Sequence, residues 1–453
     1  MAAGVMLLPG WLFWAPEVEQ PQVAADFQVL QALDLCRHAG GKAAVYSVTH
    51  YATNAVGAAF GPLGLASLLH FCRGLDVALA RNAVALTTPK GDRATRFNVL
   101  VMMGAYLIMR QGWSTEKLAS TIGGDAGSKF ICSWSTLKTP EPERVMSVRD
   151  VWDGLEIAIR RSWLQSGFLD GDEKLELAVS RYHLRAICFD ATWIIPGLLM
   201  VASDPTTVIY DPNPATCKRI APQADAAGAD VVPPAPTEAP PNADDLDWGL
   251  TPTNKSRGSV ASLASVDTVC KEYNENYEDM LPSDSSLVPK DYASFLVQSG
   301  IGIVVRANFS KEEGMPTPSY GQGTFEPFGI EQIDIPVVDT HGGLPKPADV
   351  ARMLQACDAF LDPTAGERPG VFVHCKGGFG RSMVFASCLA IYRFDLPGSA
   401  LLGWMRVARP GAFTTPKQEL FLKSMRGAAD VMKYAEMDSG SGACASCKGC
   451  SLQ

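Results

Sequence analysis

A cysteine and an arginine six positions apart stand in the run HCKGGFGRS at residues 374–382. The apolar residues 370–373 before this run are typical of a buried strand, and the residues after it, SMVFASCLAIYRF, are typical of a helix. A cysteine between a strand and a helix N-terminus meets the positive end of the helix dipole and converging N–H groups, which favour the thiolate. The thiolate is the nucleophilic form, so the sequence points to attack of Cys375 on phosphorus.

The residues between the cysteine and the arginine can wrap around a phosphate group. Three of them are glycines, which let the backbone curl so that successive N–H groups face the phosphate oxygens. The planar fork of Arg381 can bind two equatorial oxygens, and Ser382 can donate its hydroxyl to the sulfur and ease its departure. The predicted phosphate-binding residues are Lys376, Gly377, Gly378, Phe379, Gly380 and Arg381.

Hydrolysis also needs a general acid that protonates the leaving oxygen and later activates water. Asp339 follows the strand-like segment IDIPVV, opens the loop THGGLPKPAD and lies 36 residues before Cys375. Asp334 lies within that strand, and His341 is a loop neighbour, so both are alternatives. The sequence favours Asp339, because an aspartate on a mobile loop suits both half-reactions.

These residues need an α/β framework to position them. We predict strands at residues 302–306 and Ile333–Val338, and helices at Pro347–Phe360 and, far upstream, at Asn98–Arg110. Residues 193–197 are read as a turn that leads into a strand at 198–202. The segment 221–247 is rich in Pro, Ala and acidic residues, which predicts a disordered insert.

Length and composition set broad limits on the class of protein. The 453 residues with 47% apolar content suffice for two domains, and the net charge of −9 disfavours nucleic acid or an anionic membrane as partner. The 12 cysteines are scattered through the chain, and no secretory leader or membrane-spanning apolar run is recognised. We therefore expect a soluble protein of a reducing, intracellular compartment.

Several segments together resemble one known family. HCKGGFGRS resembles the active-site loop of dual-specificity phosphatases, and residues 404–411 (WMRVARPG) and 415–421 (TPKQELF) resemble the cell-division-cycle-fourteen phosphatases of mitotic exit. Residues 60–66, 98–116 and 193–197 are similar to that family's non-catalytic first domain and its inter-domain segment. The resemblance covers most of residues 5–430, apart from the insert.

The resemblance implies an α/β fold of two tandem dual-specificity-phosphatase-like domains, each a central sheet flanked by helices. Only the second would carry the cysteine and the arginine. The expected divisions are a non-catalytic domain at 1–200, an inter-domain strand and disordered insert at 201–262, a catalytic domain at 263–432 and a flexible cysteine-containing tail at 433–453.

The resemblance also implies the substrate and the cellular setting. The family prefers phosphoserine, and less often phosphothreonine, followed by proline and a downstream basic residue, so phosphorylated proteins are the expected partners. It uses neither metal nor cofactor, and Gln418 would orient the attacking water. A role in cell-cycle or cilium-related regulation, in the nucleus, in the cytoplasm or on the cytoskeleton, would follow. An acidic groove between the domains would read the basic residue, and its expected carboxylates are Asp170, Asp172, Glu173 and Glu176, for which a solvated helix face is an equal alternative.

The sequence departs from the family's loop, which usually has Ala, Leu, Thr and Gly where this chain has Gly377, Phe379, Ser382 and Met383. None of these differences removes a catalytic group. Two other functions remain open: a phosphoinositide or RNA phosphatase with a wider, more basic pocket, and a phosphopeptide-binding pseudophosphatase scaffold.

The cysteines at 444, 447 and 450 have metal-ligand spacing, but a closed structural zinc site needs four ligands. They could equally be acylated, oxidised or free.

Overall fold

The structure, a computed structural model, describes residues 4–18, 21, 27–36, 62–91, 93–127, 146–207, 289–313, 315, 318–339, 343–361 and 369–437. The predicted insert at 221–247, His341 and the cysteines of the tail lie outside these residues.

The first sheet lies in the N-terminal part of the chain. An antiparallel hairpin joins its first two strands, and the other pairs are parallel, in the order β1-β2-β4-β3. Its strands are β1 (Val5–Leu8), β2 (Leu12–Trp14), β3 (Phe27–Gln31) and β4 (Ala83–Thr87).

The second sheet repeats this plan with one more strand. An antiparallel hairpin again forms one edge, and the remaining strands are parallel, in the order β5-β6-β9-β7-β8. Its strands are β5 (Ala191–Ile195), β6 (Leu199–Ser203), β7 (Ile301–Arg306), β8 (Glu331–Asp334) and β9 (Gly370–Cys375).

Helices flank both sheets, and the inner parallel strands β4, β6, β7 and β9 are buried along their whole length. The predicted α/β class with two helix-flanked sheets is therefore confirmed. The helices are α1 (Leu65–Leu79), α2 (Arg93–Gln111), α3 (Thr115–Ile122), α4 (Val148–Arg160), α5 (Asp172–Phe189), α6 (Pro289–Gln298), α7 (Pro347–Leu361), α8 (Arg381–Phe394), α9 (Gly398–Ala408), α10 (Pro416–Ser424) and α11 (Ala428–Glu436).

The two sheets place different residues at the same point of their common plan. In each, a strand between two parallel neighbours leads through a short loop into a long helix: β4 into α2, and β9 into α8. After β4 the chain reads Thr88-Pro89-Lys90-Gly91, and after β9 it reads the glycine loop. β4 ends at Thr87, whereas β9 ends at the candidate nucleophile Cys375.

Two strand predictions need correction. The strand expected at Ile333–Val338 is instead Glu331–Asp334, and Pro336, which has no N–H to donate, lies just beyond it. The chain stays close to β7 there, since Ile335 and Val337 donate their N–H groups to the carbonyls of Arg306 and Ala307. The segment 193–197, read as a turn, begins instead with the last residues of β5, and the turn follows at Gly197, where φ is 69°.

The expected division of the chain at residue 200 remains a prediction. β5 ends at Ile195, before that boundary, yet it pairs with β6 in the second sheet. We propose that the second domain begins with β5.

Helix α4 of the N-terminal half crosses helix α9 of the second domain at backbone contact. A Cβ atom on Gly154 would overlap the carbonyl oxygen of Ala400 and the backbone nitrogen of Trp404. A Cβ on Gly403 would overlap the carbonyl oxygen of Asp150. Two glycines thus permit the approach that merges the apolar side chains of both halves into one core.

None of the helices in the described ranges combines the length and apolar character needed to cross a bilayer.

Replacing Gly154 by alanine should lower the free energy of unfolding by roughly 1–3 kcal/mol, because the added methyl group must separate two packed backbones. Urea denaturation measures the loss. Gly171→Ala is the matched control: nothing lies within 4 Å of its Cβ position, and the change should stay within about 0.5 kcal/mol. Equal stability of both variants would contradict the close crossing of α4 and α9.

Candidate active site

Strand β9 carries Cys375 to the carboxyl end of the second sheet. All six of its residues are buried, and it lies between the parallel strands β6 and β7. Ligands of open α/β sheets bind beyond the carboxyl ends of the strands, where loops and helix N-termini meet. The sequence VFVHC, apolar up to its last two residues, therefore ends at the place where an anion can be held.

The loop after β9 curls around the sulfur. Gly378 has a φ of 71°, which favours glycine, and its N–H donates to the Sγ of Cys375 at 3.2 Å. The Oγ of Ser382 lies 3.3 Å from the same sulfur. Helix α8 begins at Arg381 without a side-chain cap, so the N–H groups of its first turn are available to an anion.

Arg381 lies beside this loop with only 2% of its surface exposed. Its Nη1 and Nη2 donate to the two carboxylate oxygens of Glu312 at 2.6 and 2.8 Å. Nη1 also donates to the carbonyl of Val337 at 2.8 Å, and Nη2 to Oδ2 of Asp339 at 3.1 Å. Glu312 thus binds both terminal nitrogens. A phosphate that binds Nη2 must compete with the carboxylate of Asp339 for that nitrogen.

Burial alone would lower the pKa of Arg381. The hydrogen bonds to Glu312 and the nearby charges of Cys375, Asp339 and Glu312 outweigh burial and raise the pKa above its ordinary value. The guanidinium therefore stays charged at every physiological pH.

The two candidate acids occupy different surroundings. Asp339 follows β8 in an irregular segment, and 57% of its side chain is exposed next to Arg381. Asp334 ends β8 and is paired with the guanidinium of Arg306, and its Oδ1 accepts from Gln332 at 3.0 Å. The structure thus brings Asp339, but not Asp334, into contact with the candidate phosphate ligand.

Gln418 reaches the loop from the start of α10, where Thr415 caps the helix. Its side chain is buried and lies beside Gly380. A Cβ atom added to Gly380 would lie 2.9 Å from Nε2 of Gln418. Nε2 donates to the carbonyl of Gly343 at 3.4 Å. Lys376 turns its ammonium group toward the carbonyl of Glu313.

A buried polar network lies behind the nucleophile. His374 is fully buried, and its Nε2 is hydrogen-bonded to the hydroxyl of Tyr320. Its Nδ1 lies 3.9 Å from Oδ2 of Asp204, too far for a hydrogen bond. That oxygen accepts a hydrogen bond from Nδ2 of Asn308 at 2.8 Å. Burial, opposed by the charge of Asp204 and helped by that of Arg306, lowers the pKa of His374 to about 4. His374 is therefore neutral at pH 7.

The four carboxylates predicted for the acidic groove lie just before and within the first turns of α5. Asp170 pairs with Arg110 at 2.8 Å, and Asp172 pairs with Arg73 at 2.6 Å. Glu173 is exposed and Glu176 is half-buried. Two of the four thus already bind arginines of their own domain, and their part in a groove stays a prediction.

Three further cysteines of the described ranges, Cys72, Cys357 and Cys388, are buried and form no disulfide. Burial raises the pKa of the Cys357 and Cys388 thiols to about 12, which keeps them protonated. Within the described residues no group of three His, Cys, Asp or Glu side chains is arranged to hold a metal ion.

Glu312 and Tyr320 contact the site but were not predicted. Glu312 lies 69 residues before Arg381, and Tyr320 lies 54 residues before His374. Both belong to the segment between β7 and β8, which has no periodic pattern. Only the pair Glu312-Glu313, following a buried strand at the same sheet edge, could have drawn attention to this segment.

The fold and the site define an α/β protein with one cysteine and one arginine around a glycine loop. No protein-family model matches the chain. Among curated proteins, tyrosine-protein phosphatase cdc-14 of Caenorhabditis elegans is 21% identical over 377 residues, 81% of this chain and 40% of that protein. Tyrosine-protein phosphatase cdcA of Emericella nidulans is 23% identical over 81% of this chain and 50% of its own length.

A third relative, dual specificity protein phosphatase CDC14AB of Danio rerio, is 21% identical over 79% of this chain and 44% of its own length. The chain is thus similar to CDC14-type phosphatases over 79–81% of its length, which confirms the resemblance predicted from the loop and the downstream motifs. It spans between 40% and 50% of the length of these relatives.

The pKa of His374 yields a prediction for stability. Its folded-state value of about 4 lies below the ordinary value of 6.5, so the unfolded chain binds the proton more readily between these pH values. The free energy of unfolding should therefore fall by roughly 3 kcal/mol from this group as the pH drops from above 6.5 to 4. His374→Gln should lack this part of the pH dependence in urea denaturation. Parallel curves for the two proteins would show that His374 is not buried as a neutral group.

Proposed function

We propose that this protein hydrolyses phosphomonoesters on protein side chains through a phosphocysteine intermediate. The observation that supports this most directly is the position of the Cys375 sulfur. The sulfur lies near the N-terminus of helix α8, which has no side-chain cap, and it accepts a hydrogen bond from the N–H of Gly378. The charged Arg381 is the first residue of that helix. A buried, inert cysteine would need neither the convergent N–H groups nor the arginine.

In the first step the Cys375 thiolate attacks phosphorus, an S–P bond forms, and the bond from phosphorus to the leaving oxygen breaks. Asp339 gives its proton to that oxygen, which departs as a serine, threonine or tyrosine hydroxyl. Loop N–H groups and Arg381 hold the three equatorial oxygens as negative charge spreads over them. The partial exposure of Asp339, 57% of its side chain, allows a leaving group to reach it.

In the second step water attacks the phosphorus, the S–P bond breaks, and inorganic phosphate is released. Asp339 now accepts the proton of the water, the reverse of its first role. Gln418, buried beside Gly380, would orient that water through its amide. Ser382, 3.3 Å from the sulfur, can donate a hydrogen bond to the departing thiolate.

Carboxylates around the loop favour a protein substrate over a polyanionic inositide or RNA. Glu312 and Asp339 bind Arg381 through their carboxylates. Glu313 is exposed, and its backbone carbonyl accepts a hydrogen bond from the ammonium group of Lys376. A substrate with several phosphates would meet these carboxylates, whereas a peptide with basic residues would be attracted. This agrees with the proposed preference for phosphoserine followed by proline and a downstream Lys or Arg.

Cys375→Ser should abolish turnover of phosphoserine-proline peptides, because a serine hydroxyl at this site is a far weaker nucleophile. Phosphate release is the measurement, with Cys388→Ser, a change at a buried cysteine of helix α8, as the matched control. Wild-type activity should persist in a chelator. A rate for Cys375→Ser equal to that of the control, or loss of wild-type activity in the chelator, would rule out the proposed chemistry.

Asp339→Asn should slow hydrolysis of phosphoserine peptides by about 10²–10⁴-fold, since an alkoxide leaves poorly without a proton donor. An aryl phosphate, whose leaving group is a weaker base, should be slowed less. Asp334→Asn is the comparison, because Asp334 is bound to Arg306 and does not contact Arg381. If Asp334→Asn shows the leaving-group dependence and Asp339→Asn does not, the two roles have been exchanged.

A further inference from the structure

Arg409 lies beneath the loop, on the side away from the sulfur, directly after helix α9. Only 1% of its surface is exposed, and all five of its N–H donors have a partner. Nε donates to the carbonyl of Gly378 at 2.7 Å, and Nη2 to that of Gly377 at 3.4 Å. The ring of Phe379 also lies 4.4 Å from the guanidinium carbon.

The remaining donors of Arg409 bind residues at the start of the second domain. Nη1 donates to the carbonyl of Asp190 at 3.1 Å and to Oγ1 of Thr192 at 3.2 Å, and Nη2 donates to Oδ1 of Asp190 at 3.1 Å. Asp190 is itself fully buried. Asp190 and Thr192 therefore hold the guanidinium in one orientation, in which Nε and Nη2 donate to the loop carbonyls.

One peptide group connects Arg409 with the sulfur. The carbonyl of Gly377 and the N–H of Gly378 belong to the same planar peptide, and in a trans peptide they point in opposite directions. The carbonyl accepts from Arg409, and the N–H donates to Sγ of Cys375 at 3.2 Å. The next carbonyl, that of Gly378, is held in the same way, which turns the N–H of Phe379 toward the inside of the loop.

We propose that Arg409 is a positioning residue that holds the loop peptides with their N–H groups toward the sulfur and the bound phosphate. This deepens the proposed function and rests on it, since the thiolate and the phosphate are the anions that those N–H groups serve. Arg409 touches neither. It acts through the two carbonyls, and a single positive charge without the planar fork would not hold both.

Arg409→Lys tests this role, because it keeps the charge and removes the fork. The rate of iodoacetamide alkylation at Cys375, followed by mass spectrometry of its peptide, reports the thiolate without any turnover. The pH midpoint of alkylation should rise by about one unit, which corresponds to roughly tenfold less thiolate at a fixed pH below it. Protection by inorganic phosphate should need about tenfold more phosphate. An unchanged midpoint and unchanged protection in folded Arg409→Lys would overturn the proposal.

Arg406→Lys is the matched control. Arg406 is equally buried, within α9, but its Nη2 donates to Oε1 of Glu419 at 2.8 Å and to the carbonyl of Phe413 at 3.2 Å. It should lose stability to a similar extent and keep the wild-type alkylation profile. If Arg406→Lys shifts the profile as much as Arg409→Lys, general loosening of the core explains both and the proposal fails.

A second variant guards against misfolding. Asp190→Asn with Arg409→Met removes both charges together, so no buried charge is left without its partner, and asparagine tolerates the φ of 46° at position 190. The alkylation midpoint should again rise, and a wild-type midpoint would reject the role of Arg409. Because alkylation needs no phosphopeptide, a wild type without phosphatase activity would defeat the proposed function alone.

Discussion

The position of one N–H group relative to one sulfur underlies the whole site. Gly378 donates to Cys375 only because the chain turns back on itself within three residues, at a φ that favours glycine. That turn needs a fixed starting point, which the buried strand β9 supplies, and a fixed end, which helix α8 supplies. Strand, loop and helix together therefore fix the N–H of Gly378 toward the sulfur.

The loop lies between two arginines, Arg381 and Arg409, that bind different partners. Arg381 faces the side where a phosphate would bind, and the carboxylates of Glu312 and Asp339 hold it there. Arg409 faces the other side, binds loop carbonyls and is neutralised by the buried Asp190. In the proposed mechanism a phosphate would replace the exposed carboxylate of Asp339 at Nη2 of Arg381. Arg409, enclosed on all sides, cannot change partners without disturbing the fold.

The N-terminal half supports this arrangement without sharing its chemistry. Its sheet has the same hairpin and parallel strands, but β4 ends at Thr87 where β9 ends at Cys375, and the loop after β4 reads TPKG where the loop after β9 has three glycines. Its helix α4 packs at backbone distance against α9, the helix that leads to Arg409. Tyr182 of α5 also donates its hydroxyl to the carbonyl of Ala408 at 2.9 Å, the residue before Arg409. The first half thereby fixes the helix end from which the loop is held.

The sequence by itself predicted the candidate nucleophile, its arginine, the strand-loop-helix around them and the resemblance to the CDC14-type phosphatases, because these depend on residues close together in the chain. An apolar strand-like run, three glycines and a helix-like run lie within 25 residues. Only the tertiary structure decided the partners of Arg381 and Arg409, the network behind His374 and the membership of β5 in the second sheet. Each joins residues that are 31 to 219 positions apart or depends on which strand pairs with which. Such contacts follow from how the sheet is ordered and how helices cross it, and no local pattern of residue types records that.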